Sequence, residues 1–115
     1  MPVIKKVKLE RDYQGGLKKR ICARFPGSYV FKLDSGDYQG IPDLMVIWGP
    51  FWGILEVKRE KPTKPSDYQP NQEWYIDQLN QMSFSSVIYP ENEEAVLDEL
   101  QQAFTPRRQT RYSLR

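Results

Sequence analysis

The 115-residue sequence predicts a small α/β fold, a mixed β-sheet flanked by helices in the order α-β-β-β-α-β-α. Three observations carry this reading. Residues 9–24 set Tyr13, Leu17 and Ile21 at four-residue spacing with basic residues between, the period of an amphipathic helix. Residues 43–58 contain two apolar runs separated by a segment rich in glycine and proline, the pattern of two strands and a connecting turn. Two more helical stretches, near 70–82 and after Asn92, bracket a short β-prone run at 85–89.

Along the chain, Gly15 and Gly16 each cost the first helix about 1 kcal/mol relative to alanine, so it needs tertiary support. Cys22, within it, is expected to be a small buried side chain. Phe25-Pro26-Gly27 ends the helix, and residues 29–33 form the first strand. A polar loop with Asp34, Ser35, Gly36, Asp37 and Gly40 leads to strands at 43–48 and 54–58, joined through Gly49-Pro50-Phe51-Trp52-Gly53. After a linker at 61–70, Pro70 can occupy the first turn of a helix reaching Met82, with Tyr75, Leu79 and Met82 turned inward. Asn92 caps the last helix, with Glu93 and Glu94 in its first turn and Val96, Leu100 and Ala103 along one face. Residues 1–104 are expected to form one domain and 105–115 a basic tail.

The composition excludes several chemistries. There is no histidine and only one cysteine, so Ser-His and Cys-His pairs, histidine-ligated zinc, Cys-rich metal sites and an internal disulfide are all ruled out. Catalysis, if any, must rest on carboxylates, lysine, tyrosine or a hard metal ion. No apolar run approaches the roughly 18 residues of a membrane span, and the basic start lacks the apolar core of a signal peptide. A soluble, cytoplasmic chain without a membrane partner is expected.

The net charge of +2 averages over unequal blocks. Residues 1–32 carry nine Lys or Arg against two acids, residues 66–104 carry eight acids and no base, and the tail adds Arg107, Arg108, Arg111 and Arg115. Two readings stay open on this feature: one surface meeting a polyanion, or ordinary solvated faces.

The apolar run at 42–58 nonetheless holds Asp43, Glu56 and Lys58. Charges in such a setting are expensive unless paired or bound to a metal. Glu56 and Lys58 share one face of their strand, and folding the hairpin back brings Asp43 beside them. Two carboxylates converging with a lysine suit Mg²⁺ or Mn²⁺, which take oxygen ligands, with the lysine facing a phosphate or a water. The plainer alternative is a structural Glu56–Lys58 ion pair.

Gly40-Ile41-Pro42-Asp43 followed by Leu55-Glu56-Val57-Lys58 resembles the signature of the PD-(D/E)XK nucleases, which have a restriction-endonuclease-like core. An acid on the first helix, and Gln72 opening the helix after the motif, resemble the VRR-Nuc (virus-type replication-repair nuclease) branch, whose relatives include Holliday junction resolvases. Residues 69–75, with Met82-Ser83-Phe84 and 88–92, look like versions carried by tailed bacteriophages, which would place the chain in a host bacterial cytoplasm.

The resemblance implies that Asp43 and Glu56 hold the metal together with the Val57 carbonyl, and that Lys58 orients the attacking water and stabilises developing charge. Glu10 matches the first-helix acid that completes the metal shell or positions a metal-bound water; the plainer alternative is a helix-start acid favoured by the macrodipole. It lies on one helical face with Gln14, Leu17 and Ile21, whereas Asp12 does not. Gln72 matches a glutamine that hydrogen-bonds the lysine or the water.

The implied function is metal-dependent, structure-selective cleavage of DNA phosphodiesters in branched substrates such as Holliday junctions, with Mg²⁺ replaceable by Mn²⁺. The alternatives are a non-catalytic DNA-binding module on the same fold, or a flap or nicking nuclease without junction preference. Lys18, Lys19, Arg20, Arg24, Lys32, Arg107 and Arg108 are the candidate phosphate contacts. A homodimer would supply two matched sites to a two-fold junction. Phe51 and Trp52, taken to lie in the hairpin turn, are expected in the core, in a dimer interface or as a wedge into DNA.

Overall fold

The computed structural model describes residues 2–34 and 36–105, with the side chains of 2–9 outside the description. The tail arginines Arg107, Arg108, Arg111 and Arg115 also lie outside the described residues. The chain runs α1 (Pro2–Arg24), β1 (Tyr29–Lys32), β2 (Leu44–Trp48), β3 (Phe51–Val57), α2 (Gln72–Met82), β4 (Ser85–Ile88) and α3 (Glu93–Ala103). Short 3₁₀ turns sit at Pro65–Asp67 and Pro90–Asn92.

The sheet order is β1-β2-β3-β4, with β1, β2 and β3 antiparallel and β4 parallel to β3. A parallel neighbour requires a crossover connection, and the segment containing α2 supplies it. The expected mixed α/β architecture and element order are therefore present.

Strand alternation divides the sheet into two unlike faces. Leu44 and Val46 of β2 share one face with Leu55 and Val57 of β3, and pack with Leu17, Ile21 and Phe25 of α1 and Val96, Leu97 and Leu100 of α3 into the core. The opposite face carries Tyr29 and Phe31, Met45 and Ile47, then Trp52, Ile54 and Glu56 across successive strands. There α2 lies over β3 and β4.

Several local expectations need correction. The first helix begins at Pro2, because proline at a first helical position followed by a lysine-rich run lacks any breaker. The hairpin turn is Gly49-Pro50 alone, closed by the Trp48↔Phe51 pair, so Phe51 and Trp52 belong to β3. Phe51 stacks on Phe104 at 5.8 Å, and Trp52 is half-buried on the other face. Gly53, which looked like a turn residue, is where α3 presses on the sheet: a Cβ there would lie 2.8 Å from Leu100 Cδ1.

Pro70 falls outside α2, since Asn71 has a left-handed φ of 71° and the helix starts only at Gln72. Met82, expected inward, is 70% exposed on the last turn of α2. Cys22 and Ala103 are also exposed. The Asn92 side chain does not cap α3. It turns back instead, accepting from the Tyr89 N–H at 2.8 Å and donating to the Val87 carbonyl at 3.1 Å.

Gly40 sets the position of the loop that delivers Asp43. Its φ is +96°, and a Cβ there would lie 2.3 Å from the Pro70 carbonyl oxygen. Gly40→Ala is thus expected to lower unfolding free energy by about 2–4 kcal/mol, combining left-handed strain with a backbone clash. Gly15→Ala, which meets open space within α1, should be neutral or stabilising by up to about 1 kcal/mol. Urea unfolding of both variants checks the contrast, and equal midpoints would contradict it.

Candidate active site

Asp43 lies one residue before β2 and Lys58 one after β3, yet both are held in the ladder. The Leu33 N–H donates to the Asp43 carbonyl at 2.7 Å, and the Lys58 N–H donates to the Ile88 carbonyl at 2.9 Å. One step beyond the Leu44↔Leu55 pair, Asp43 therefore faces Glu56. The Val57 N–H donates to Asp43 Oδ2 at 3.0 Å, and Lys58 Nζ stands 3.2 Å from Glu56 Oε2. The strand geometry brings the three charged residues together as expected.

Glu56 is buried and its Oε1 has no hydrogen-bond partner. Burial first, and the neighbouring Asp43 second, push its carboxyl up to about 8 against the pull of Lys58. Burial also raises Asp43 above the usual carboxylate range, opposed by the Val57 N–H and by Lys58 and Lys32. A cation between the two oxygens would relieve this repulsion and satisfy the orphaned acceptor.

Two clefts meet here. One, of about 290 Å³, is lined by Glu10, Arg11, Gln14, Lys32, Asp43, Glu56, Lys58 and Gln69. The other, of about 410 Å³, shares Glu10 and Lys58 and runs along Arg59, Lys61, Thr63 and Asp67. Glu10 occupies the helical stripe that continues into Leu17 and Ile21, and so reaches the same cleft as the acid pair. Among the described residues, however, no group of three His, Cys, Asp or Glu is placed to hold a metal. Glu10 thus lines the cleft without closing a three-carboxylate shell.

Gln72 is buried, and its Oε1 accepts from the Gln69 N–H at 3.1 Å, closing the turn that enters α2. Lys58 Nζ itself donates to the Asp67 carbonyl at 2.9 Å. Asp67 Oδ2 in turn accepts from the Thr63 and Lys64 N–H groups, which winds the segment into a fixed loop. Sequence reasoning missed Asp67, Arg11 and Gln69. The Pro65-Ser66-Asp67 run, a proline-started turn closed by an aspartate, was the available signal for the first.

The basic candidates divide. Lys32 lines the acid-pair cleft, while Lys18 and Lys19 line neither cleft. Arg20 grips Glu93 through two hydrogen bonds, at 2.6 and 3.0 Å, and Tyr13 OH donates to the same carboxylate at 2.9 Å. Arg24 contacts Glu94, Asp98 and Gln101. Two of the basic side chains of α1, Arg20 and Arg24, are therefore met by acids of α3.

Comparisons of the chain with protein-family models, with curated proteins and with solved structures found no match. The site is accordingly read from its own chemistry.

The raised carboxyl of Glu56 has a consequence for stability. An unfolded glutamate loses its proton near 4.5, whereas the folded one keeps it to about 8. Between those values the folded state binds more protons, so this contribution to stability is complete below pH 4.5 and is lost as pH rises through about 8. In chelator, Glu56→Gln should match wild type near pH 4.5 and exceed it by roughly 1–3 kcal/mol at pH 8.5. Urea unfolding at the two pH values is the check, and a pH-independent difference would contradict it.

Proposed function

We propose that this chain is a metal-dependent deoxyribonuclease of the PD-(D/E)XK superfamily, VRR-Nuc branch, on a restriction-endonuclease-like core, and that it hydrolyses phosphodiesters in branched DNA. The observation that carries the reading is the pairing of half-buried Asp43 with buried Glu56 beside Lys58, with Glu56 Oε1 unsatisfied where the two acids line one cleft. A purely structural ion pair needs one acid for one lysine. The second acid, out of water at the same point, adds repulsion that a divalent cation removes.

Asp43, Glu56 and the intervening Val57 carbonyl are the groups that would hold Mg²⁺ or Mn²⁺. When bound, such an ion supplies Lewis acidity and lowers the pKa of a water, work that no histidine here can do. Lys58 has three ammonium donors, of which Glu56 and the Asp67 carbonyl engage two. The third is available to a phosphate oxygen or to the attacking water. Lys32 and Arg11, which both line the cleft, would offset phosphate charge, giving affinity that falls with salt.

One observation favours a second reading, a non-catalytic DNA-binding module: the described residues offer no three-carboxylate metal cluster. The two readings separate on labelled four-way junction, flap, duplex and single-stranded DNA incubated with Mg²⁺, Mn²⁺ or chelator. Wild type should cut with metal only. Asp43→Asn and Glu56→Gln should each lower the rate on the order of 10²–10³-fold, the scale of several kcal/mol of lost charge stabilisation, while leaving DNA binding intact. No cutting of any substrate, or equal cutting by Asp43→Asn, overturns the nuclease reading.

A further inference from the structure

The face of the sheet that bears Asp43 and Glu56 is only half covered. Over β3 and β4 lies α2, but on β1 the aromatic rings of Tyr29 and Phe31 are 65% and 48% exposed. The rings are nearly parallel, 10° apart in plane with centroids at 6.2 Å. Beside them on β2, Met45 and Ile47 are only partly buried.

Two rings standing parallel on a strand, exposed to water, present flat π-faces rather than a packed apolar surface. Register places them close to the acid pair. Phe31 pairs with Met45, two residues from Asp43, a distance along the strand of about 7 Å. The next residue of β1, Lys32, lines the acid-pair cleft. Lys32 pairs with Leu44, so its side chain leaves β1 on the face opposite the rings and reaches the acid-pair cleft at the end of the sheet, where its charge acts on Asp43.

We infer that Tyr29 and Phe31 form a stacking platform for unpaired bases of a DNA strand whose backbone turns round the end of the edge strand β1, bringing its phosphates to Lys32 and the Asp43–Glu56 cleft. This deepens the proposed function by naming an unpaired segment as the part of the substrate the protein holds, and it rests on that reading only for where the phosphate goes. Stacking on aromatic faces is indifferent to base identity, which suits a chain with no base-reading module. A second copy of the chain is the competing occupant. Aromatic side chains bury about 150–250 Å² each when fully covered. The patch therefore offers on the order of 300 Å², well short of the roughly 800 Å² per partner of a stable interface.

The test is binding of fluorescently labelled oligo(dT) by anisotropy in chelator, with folding of each variant checked by thermal melting. Tyr29→Leu/Phe31→Leu keeps apolar side chains but removes both π-faces, and is expected to weaken binding roughly 5- to 100-fold with an unchanged salt slope. Tyr29→Trp/Phe31→Trp should bind at least as tightly as wild type. Equal binding by the leucine and wild-type proteins overturns the inference, as does a leucine variant that only converts a dimer to a monomer in sedimentation velocity without losing oligo(dT). Metal-dependent cutting by wild type together with unchanged binding by the leucine variant would sink the platform and leave the nuclease. Ring-dependent binding without cutting would do the reverse.

Discussion

Two carboxylates, Asp43 and Glu56, face each other at the end of neighbouring strands, Glu56 buried and Asp43 half-buried. Desolvation and mutual repulsion both disfavour their charged forms. What offsets this is a short set of donors: the Val57 N–H on Asp43 and the Lys58 ammonium on Glu56. Each donor is fixed from outside the pair. The Asp43 backbone is tied to β1 through Leu33, the Lys58 backbone to β4 through Ile88, and the Lys58 head to the Asp67 carbonyl. An arrangement this dependent on neighbouring strands cannot form before the sheet does.

The same logic accounts for the uneven charge. The basic α1 and the acidic α3 flank one core, and Arg20 with Tyr13 clasps Glu93 while Arg24 bridges to Glu94 and Asp98. Burial alone would raise the Glu93 carboxyl, but the bonds from Arg20 and Tyr13 outweigh it and hold the group below its ordinary value. Two of the basic side chains of α1 are therefore matched by acids within the fold, although the two blocks lie far apart in sequence. Lys32, isolated in sequence from the basic helix, lines the acid-pair cleft together with Arg11 of α1, whereas Arg20 and Arg24 are engaged by the acids of α3.

Period and punctuation made the element order and the convergence of Asp43, Glu56 and Lys58 legible, because alternation along a strand is a local property. Contacts that depend on what packs above were not legible. Gly53 reads as a turn residue, yet its missing side chain admits Leu100 of α3, so the turn was drawn three residues too long. Gly40 reads as a loop residue, yet it lets the backbone at Pro70 and Asn71 come close. The Gln72 amide oxygen accepts from the Gln69 N–H, and Lys58 donates to the Asp67 carbonyl, a backbone group invisible to any residue pattern.

The topology ties the cleft to the open half-face. A parallel β4 beside β3 obliges the chain to leave β3 at Lys58, cross the sheet and return, so the segment after Lys58 must border the acid pair and α2 must lie over β3 and β4. Nothing in that path requires it to reach β1. The edge strand is left with Tyr29 and Phe31 in water on the face of the acids, and with Lys32 at their mouth. Burying those rings under a longer crossover would be the cheaper solution for stability, at roughly 1.5–3 kcal/mol for each large apolar side chain covered. Their exposure beside a charged cleft is the part of the structure that stability does not explain; under the proposed reading, an unpaired DNA strand would supply both the π-faces and the phosphates to match it.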